Sequence, residues 1–336
     1  MLKIVTFIIP AYNAEKYLEK CLKSFLSPEI NETIDVLIIN DGSGDRTSMI
    51  AHEFAEKYPG IFRVIDKANG GHGSTINIGA EKALGKYIKV IDSDDWVETD
   101  NLIKYVESLK ESEADVILTH YYTFDINTCK KQQHKVYDED FNSTKSLKDI
   151  MGQFDKYDDC LCFHGITYNT KFYRSCGINL SEHVFYEDNE YATFPYYKAE
   201  TICSLDLFLY VYRVGDVSQS VSVESRIKKI DHERKVASSM IDFYYLHKMS
   251  EAAKDYFCVK ITRVLASYWI TCFLCIPDRK EGRRLGKTMY KQLEDKDEIR
   301  DALKKKYITL LFMGYLHLDK KCLDRMIEFA KKRRQR

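Results

Sequence analysis

Four residues near position 90 carry side chains suited to holding a metal ion. Asp92, Ser93, Asp94 and Asp95 come directly after the apolar run Ile88–Ile91. Carboxylates two residues apart on an extended chain end project to one face, where they repel one another unless a cation joins them. Mg²⁺ and Mn²⁺ prefer one or two carboxylates together with phosphate oxygens and water. The turn therefore predicts a metal-bound diphosphate, with a solvated, helix-capping turn as the alternative.

Three further polar clusters stand at the ends of predicted strands: Pro10–Asn13, Asn40–Ser43 and Lys67–Gly73. The strands are apolar, β-branched runs separated by stretches with helical spacing, and they cover Ile4–Ile9, Val36–Ile39, Phe62–Ile65 and Tyr87–Ile91. This alternation predicts an α/β fold with a mostly parallel central sheet flanked by helices. Because ligands of such sheets bind outside the carboxyl ends of the strands, we expect the four clusters to converge on one edge.

Helix boundaries are predicted from capping residues and apolar spacing. The predicted helices cover residues 14–25, 46–58, 76–84 and 100–109. Asn13, Asp45 and Thr99 are expected to cap the first, second and fourth of them, since their side-chain oxygens accept first-turn N–H groups. The third helix is expected to begin only after the glycine-rich segment that includes His72. A further strand is predicted over Asp115–Thr119.

The composition excludes several classes of protein. The chain has 336 residues, 45% of them hydrophobic, which is enough for a sizeable core in about two domains. Its 51 basic and 51 acidic residues argue against a general nucleic-acid binder, although residues 279–336 hold 19 basic and only 9 acidic residues. Ten cysteines without a secretory pattern predict reduced thiols in the cytoplasm. No run reaches the ~18 apolar residues of a membrane span.

Four stretches resemble the motifs of family 2 glycosyltransferases of the GT-A fold, in particular bacterial enzymes that build surface polysaccharides. They are Phe7–Asn13, Asn40–Thr47 with its DGS-x-D-x-T pattern, Gly79–Asp95 with its final D-x-D-D, and Phe185–Asp188. The resemblance implies a GT-A catalytic domain over residues 1–225. Its nucleotide-binding half would be 1–99 and its acceptor-binding, catalytic half 100–225, followed by a helical domain over 226–336 with a basic end.

The resemblance also implies roles for residues on the donor side. The nucleotide is expected to contact a set of residues at the strand ends: Pro10, Ala11, Tyr12, Asp41, Lys67, Asn69, Gly71, Asp92 and Ser93. Within this set, Tyr12 would stack on the base and Asp41 would accept a hydrogen bond from the uracil N–H. Asp94 would hold a Mn²⁺ or Mg²⁺ ion.

The same resemblance makes Asp188 the catalytic base, with Glu187 beside it. Transfer breaks the bond between the anomeric carbon and the diphosphate, so the leaving group gains charge that a divalent cation stabilises. The acceptor hydroxyl must lose a proton as it attacks, and a carboxylate can take that proton. The resemblance implies an inverting enzyme. One direct displacement at the anomeric carbon inverts its configuration, and such a displacement needs a single base. The alternative for Asp188 is an ordinary acidic surface residue.

One departure from the family pattern concerns the start of the third helix. Relatives often carry Ala-Arg-Asn-x-Gly where this chain has Thr75–Gly79, so Ile76 stands in place of an arginine. If that arginine holds the donor in relatives, another residue must do so here. His72, between glycines, is the candidate, and with Asn77 it is expected to approach the diphosphate or the sugar. The alternative is a loop histidine without a ligand.

A second candidate for the diphosphate lies further along the chain. Arg213 belongs to a stretch that resembles the Y-x-Y-R…S-x-S pattern of such enzymes, and its charge suits a diphosphate. Gln219 and Ser220 are predicted to close over the same group. A salt bridge within a turn is an equally weighted alternative for Arg213.

The predicted enzyme moves a hexose or N-acetylhexosamine from a UDP-sugar to a hydroxyl of a glycan or lipid-linked acceptor in surface polysaccharide synthesis. One alternative is a catalytically inactive, membrane-docked scaffold that binds nucleotide sugars. Another is a sugar-phosphate nucleotidyltransferase. That class calls for an early glycine-rich loop with Arg or Lys, whereas residues 10–16 read Pro-Ala-Tyr-Asn-Ala-Glu-Lys.

The C-terminal part predicts packing and docking surfaces. Tyr256–Ile276 carries a broad apolar stripe at helical spacing, typical of a core or of an interface between copies of the chain. Lys320–Arg336 holds eight basic and two acidic residues. Such an end predicts peripheral contact with the anionic inner face of the cell membrane, reached from the cytoplasm. A solvated helix end is the alternative.

Overall fold

The computed structural model describes residues 2–216 and 223–325. The chain divides into two compact units. The first comprises Met1–Asp216 and His247–Lys254, and the second comprises Val217–Leu246 and Asp255–Arg336.

The first part of unit one alternates strands and helices, as the sequence predicts. The strands are β1 (Val5–Ala11), β2 (Ile34–Asn40), β3 (Phe62–Asp66) and β4 (Tyr87–Val90), and the helices are α1 (Leu18–Lys23), α2 (Thr47–Lys57) and α3 (His72–Lys82). The strands lie in the order β3-β2-β1-β4 and are all parallel. β1 and β2 are buried along their whole length and mostly apolar, as expected for central parallel strands.

The rest of unit one widens this sheet. Its elements are β5 (Trp96–Val97), α4 (Thr99–Glu111), β6 (Val116–Asp125), β7 (Lys130–His134), β8 (Thr144–Lys145), α5 (Leu147–Gly152), α6 (Phe154–Tyr157), β9 (Ile166–Asn169), α7 (Thr170–Ser175), α8 (Asp188–Tyr191) and β10 (Ile202–Val214). The sheet continues from β4 through β9, β6 and β10 to β5. β9 runs antiparallel between β4 and β6, whereas β6 and β10 are parallel. The predicted α/β sheet with flanking helices is confirmed.

The two neighbours of β1 open a crevice at its carboxyl end. Pairing of β1 with β4 ends at Ile8 and Val90, while pairing with β2 continues to Ala11 and Asn40. β1 therefore loses its β4 neighbour at Pro10, a residue that lacks the N–H a ladder would need. Successive strands are added on one side of β1 (β2, β3) and then on its other side (β4). Open α/β sheets bind ligands at the strand end where the order reverses in this way.

Two helix starts differ from the sequence prediction by four residues, and two predicted caps are wrong by one residue, since Arg46 precedes α2 and Glu98 precedes α4. Asn13 is not an N-cap: its φ is +51°, and its side-chain oxygen accepts the N–H of Gly44 instead. α1 consequently begins at Leu18. α3 begins at His72, four residues before the predicted start, and it follows Gly71, whose φ is +85°. The earlier start places His72 on a rigid element.

Unit two is helical, which confirms the prediction for the C-terminal region. Its helices are α9 (Val223–Lys228), α10 (Ile230–Leu246), α11 (Glu251–Ile270, shared with unit one up to Lys254), α12 (Arg279–Lys291) and α13 (Asp297–Tyr315). α11 continues into a π-helical turn, Thr271–Cys275. The predicted apolar stripe is core, since Tyr256, Leu265 and Trp269 are buried. The rings of Tyr290 and Tyr307 stack with centroids 3.8 Å apart.

The segment Glu251–Cys275 is long and apolar enough to cross a membrane by length and composition alone, with a mean hydropathy of 1.4 in its most apolar window. Of that window, 56% is buried within the structure. A core helix of a globular protein meets the same criterion.

Candidate active site

The turn between β4 and β5 carries three carboxylates that lie close together. One oxygen each of Asp92, Asp94 and Asp95 lies within 4.8 Å of the others. Burial and the neighbouring Asp92 raise the pKa of Asp94 to about 6. The repulsion and the all-oxygen donor set fit a hard divalent cation. This group is called the acidic turn below, and it includes Asp95, which the sequence placed in the cluster without a role of its own.

Asp95 is anchored at the bottom of the acidic turn. It is buried, and its carboxylate accepts hydrogen bonds from the Tyr210 hydroxyl at 2.5 Å and the Arg213 backbone N–H at 2.7 Å. Burial and the charges of Asp94 and Asp92 raise its pKa well above the ordinary value. Both partners belong to β10, so this strand holds the acidic turn in place through Asp95. Adjacency to Asp94 was the one sequence signal for this residue.

His72 bridges two carboxylates that are distant in the sequence. Its Nε2 lies 2.9 Å from Asp92 Oδ1, and its Nδ1 lies 2.5 Å from Glu187 Oε1. Burial favours the neutral ring, but Asp92 and Glu187 outweigh it and raise the pKa of His72 well above its ordinary value. The ring is therefore an imidazolium that donates from both nitrogens. Both nitrogens are thus engaged within the protein, and contact of His72 with phosphate or sugar stays a prediction.

The approach of Glu187 depends on glycines at the start of α3. A Cβ on Gly73 would collide with the Ser181 carbonyl oxygen and lie 3.1 Å from Glu187 Cγ. A Cβ on Gly71 would lie 2.9 Å from the His183 backbone nitrogen. His183 donates its N–H to the Gly70 carbonyl at 2.8 Å. Glycine is thus required where α3 meets the segment 181–187.

Asn77 fastens the same segment from the next turn of α3. Its Oδ1 accepts the Leu180 N–H at 2.9 Å, and its Nδ2 donates to the Leu180 carbonyl at 3.1 Å. Both ends of the amide are thus used within the protein. This differs from the expected contact with diphosphate or sugar, and Asn77 instead positions the chain that leads to Glu187 and Asp188.

Asp188 is the first residue of α8 and keeps contact with solvent. The surrounding protein and the adjacent Glu187 raise its pKa to about 6, so it is ionised at neutral pH. The residue before Glu187, Tyr186, has a φ of +76°, which is strained for an aromatic side chain. Such strain is found where a fold holds functional groups in place. Buried Glu187 keeps Oε2 without a hydrogen-bond partner among the described residues.

The loop after β3 wraps around Asp41, and together they form the nucleoside end of the site. Asp41 Oδ1 accepts from Lys67 Nζ at 2.5 Å and from the Gly70 N–H at 2.9 Å. Its Oδ2 accepts from the Gly71 N–H at 2.9 Å, and Asn69 Nδ2 donates to its carbonyl at 3.0 Å. Since a carboxylate has about four acceptor positions, three donors leave it one.

The remaining residues that the sequence assigns to the donor differ in exposure and in their partners within the protein. Tyr12 is 55% exposed at the end of β1, whereas Pro10 and Ala11 are buried within the strand, and Ser93 is half-buried in the acidic turn. Arg213 Nη2 donates to Asp216 at 3.0 Å, and Nη1 lies 3.8 Å from Asp94. Gln219 and Ser220 lie outside the described residues.

The family and the fold follow from comparison with known proteins. The sequence profile of Glycosyl transferase family 2 matches residues 6–176, just over half of the chain. The chain is 26% identical over 267 residues to the uncharacterized glycosyltransferase EpsJ of Bacillus subtilis (strain 168), covering 78% of this chain and 76% of EpsJ. It is 35% identical over 114 residues to the minor teichoic acid biosynthesis protein GgaB of the same organism, covering 33% of this chain and 13% of GgaB. It spans less than half the length of several other curated relatives.

Among solved structures, S. aureus TarS 1–349 in complex with UDP-GlcNAc matches with a TM-score of 0.58 at 20% identity. The match covers 94% of this chain and 92% of the TarS chain, and it confirms the expected GT-A fold with a helical C-terminal region. With the profile match over more than half of its length, this chain is a glycosyltransferase that belongs to Glycosyl transferase family 2.

Proposed function

We propose that this chain is an inverting, metal-dependent transferase that moves a hexose or N-acetylhexosamine from a UDP-sugar to a hydroxyl group. The acceptor is a glycan or a lipid-linked glycan in surface polysaccharide synthesis. One observation carries the proposal: the ion bridge of Asp92, His72 and Glu187 joins the acidic turn to the segment that bears Asp188. A cation-binding group and a candidate base thereby flank one space.

The donor nucleoside is assigned to the crevice beside β1. Tyr12 offers its exposed ring to the base, and the one remaining acceptor position of Asp41 takes the uracil N–H. Lys67, Asn69 and Gly71 hold Asp41 in place. Buried Pro10 and Ala11 shape the strand end without direct side-chain contact, and Asp92 and Ser93 face the ribose and phosphates.

The metal belongs to the acidic turn, with Asp94 as the main ligand and Asp92 and Asp95 in support. When bound, Mn²⁺ or Mg²⁺ supplies positive charge for the diphosphate leaving group. Asp94 fits this role because burial and the neighbouring Asp92 raise its pKa even though Arg213 lies 3.8 Å away, so its ionised form is only partly compensated. Tyr210 and the Arg213 backbone keep the turn in register.

Asp188 is assigned as the base for the acceptor hydroxyl. A pKa of about 6 leaves it ionised at neutral pH and more basic than an ordinary aspartate. Attack on the side opposite the leaving group inverts the anomeric centre in one displacement. Glu187 is held by His72 at the buried end of the same segment, so it positions Asp188 and offers Oε2 to the substrate.

The substrate class is supported by the relatives. TarS is described in complex with UDP-GlcNAc, which supports a UDP-linked donor. GgaB is named for minor teichoic acid biosynthesis, which supports a surface polymer as the acceptor. On this basis residues 1–99 bind the nucleotide, residues 100–225 supply the base and the acceptor side, and the helical domain begins near 226.

We further propose a peripheral location on the inner face of the cell membrane. The predicted basic end lies partly outside the described residues, but α13 adds support. Ile308, Phe312 and Leu316 expose 54%, 61% and 55% of their surfaces on adjacent turns. Lys304 and Lys305 stand one turn earlier on the same exposed side. An apolar face with flanking lysines suits an anionic interface, and co-sedimentation with anionic vesicles should be lost in Phe312→Glu.

The deciding experiment is a panel of UDP- and GDP-sugars incubated with the full chain and Mn²⁺ or EDTA, with nucleotide release as the readout. We expect UDP release from a UDP-hexose or UDP-N-acetylhexosamine that stops with EDTA. Asp188→Asn should lower turnover by about 10²–10⁴-fold, while Asp155→Asn, an exposed change on α6, should not. Absence of turnover with every donor, with UDP binding retained, would favour the inactive scaffold.

A further inference from the structure

A small open pocket adjoins the acidic turn at Asp94. Its volume is about 100 Å³, and it is lined by Lys16, Tyr17, Lys20, Asp94, Trp96, Phe124, Ile126 and Arg213. Because a water molecule occupies about 30 Å³ of liquid, the pocket has room for a group of a few heavy atoms. Whole-ligand sites are usually at least three times larger. The pocket is thus the size of a phosphate subsite.

Three cations face this pocket, and aromatic rings hold two of them. The Lys20 ammonium lies 3.0 Å from the centroid of the Trp96 ring, and the Arg213 guanidinium lies 4.5 Å from that of Tyr17. Lys16 lines the same space. Burial and the positive charges of Arg213 and Lys131 lower the pKa of Lys20, as expected where cations crowd together. Such crowding favours an anion.

The other cations of the site are already engaged. Lys67 donates to the Asp41 carboxylate, the Ala68 carbonyl and the Ser74 hydroxyl, and His72 is shared by Asp92 and Glu187. The side chains of Lys20 and Lys16, in contrast, make neither a hydrogen bond nor an ion pair with any residue that the structure describes. Their charges are therefore open to a ligand, and the Trp96 ring holds that of Lys20 in place.

Relatives often carry an arginine at the position of Ile76, and this chain therefore has no positive charge there. Ile76 is fully buried in α3. We propose that Lys20, with Lys16 and Arg213, forms the phosphate subsite that receives the diphosphate of the donor and retains it as the leaving group. This inference rests on the proposed function and names Lys20 as the residue that compensates for the missing arginine.

The reaction explains why positive charge is needed there. The bond between the anomeric carbon and the β-phosphate oxygen breaks, and its electron pair stays on that oxygen. The acceptor oxygen forms the new bond to the anomeric carbon, and its proton passes to Asp188. The leaving UDP therefore carries one more negative charge than it did within the donor. Cations beside Asp94 bind this product more strongly than the substrate, which lowers the barrier.

The test compares UDP and uridine binding to the full chain in Mn²⁺ buffer, using calorimetry. Lys20→Ala should weaken UDP binding about tenfold to hundredfold, the range of a charge-assisted hydrogen bond, and leave uridine binding unchanged. Lys20→Arg should restore most of the UDP affinity. Lys23→Ala is the matched control, because Lys23 lies on the same helix, is exposed and pairs with Glu19.

Two results would overturn the assignment. One is an equal loss of affinity for UDP and uridine in Lys20→Ala, and the other is unchanged UDP affinity. If the KM for a phosphate-bearing acceptor is raised in that second case, the pocket takes an acceptor phosphate instead. The proposed function is tested separately by wild-type UDP binding and sugar transfer, so either claim can fail while the other is still being measured.

Discussion

The nucleoside end and the acidic turn use carboxylates in opposite ways. At the nucleoside end, Asp41 is buried and accepts three hydrogen bonds, one of them from the charged Lys67. In the acidic turn, Asp94 lies beside Asp92 and Asp95, and this crowding raises its pKa to about 6. The negative charge of Asp41 is stabilised by donors within the protein, whereas that of Asp94 is destabilised by burial and by Asp92.

This difference separates a carboxylate whose charge is met mainly by the protein from one whose charge is left mainly for a ligand. A carboxylate with all its charge compensated stabilises the fold, and its replacement lowers stability. A carboxylate crowded by like charges costs stability when it is ionised, and that cost is recovered when a cation binds. Stability and activity should therefore respond in opposite ways to mutation of the two regions.

Between these two regions, the largest effect is expected for Asp94→Asn. Turnover should fall by about 10²–10³-fold, because the leaving group loses electrostatic stabilisation. The melting temperature in EDTA should stay equal or rise, since an ionised carboxylate with a raised pKa is removed. Thermal melts and nucleotide release on the same preparation measure both effects. A clear fall in melting temperature together with full turnover would reverse the assignment of Asp94.

The next effect concerns the packing that links the two regions. Gly73→Ala places a methyl group against the Ser181 carbonyl and should displace the segment that carries Glu187 and Asp188. A shift of about 1 Å is enough for a loss near 10²-fold in kcat, while UDP affinity should change little. Gly44→Ala is the matched control, because no atom lies within 4 Å of the added Cβ. Equal kcat in the two variants would show that packing at the start of α3 does not position Glu187 and Asp188 for catalysis.

Asp41→Asn should have the opposite signature from Asp94→Asn. The amide offers one oxygen to donors that need two, and Lys67 loses its counter-charge. We expect a loss of about 2 kcal/mol in the free energy of unfolding, or about 4–8 °C in melting temperature. Glu53→Gln, on the exposed side of α2, serves as the control. An Asp41→Asn variant as stable as wild type would contradict the structural role.

The smallest effect is a pH dependence. The folded-state pKa of Asp188 is raised to about 6, so the basic, ionised form is lost as the pH falls through 6. We expect kcat/KM to decrease about tenfold per pH unit below that value. The same profile in Asp188→Asn separates this group from Asp94, whose pKa is also raised to about 6, because the variant should lose the part of the decrease that Asp188 causes. A flat kcat/KM profile between pH 7 and 5 would exclude Asp188 as the base.

The sequence predicted the first four strands to within two residues of their observed bounds, because periodicity and buried apolar runs are local signals. It also predicted that Asp92 and Asp94 would lie at a strand end. It misplaced the start of α1, because Asn13 adopts a left-handed conformation fixed by Gly44, a contact 31 residues away. Single-sequence patterns carry no information on such distant partners.

The same limit applies to contacts within the site. His72 and Glu187 are 115 residues apart, so their ion pair was not visible in the motif that contains either one. Asn77 was assigned to the ligand because its partner, Leu180, is equally distant. The antiparallel insertion of β9 between β4 and β6 is likewise a tertiary feature. The residue types predicted a metal site and a base, whereas the contacts made in the fold determine which charged groups are left for a ligand.

The central claim is that the acidic turn requires a cation in order to bind the donor. Mn²⁺ binding to the full chain, measured by electron paramagnetic resonance with and without UDP, tests it most directly. We expect Mn²⁺ to bind wild type more tightly when UDP is present, and this enhancement to disappear in Asp94→Asn but not in Asp155→Asn. Equal Mn²⁺ binding by wild type and Asp94→Asn in the presence of UDP would contradict the account.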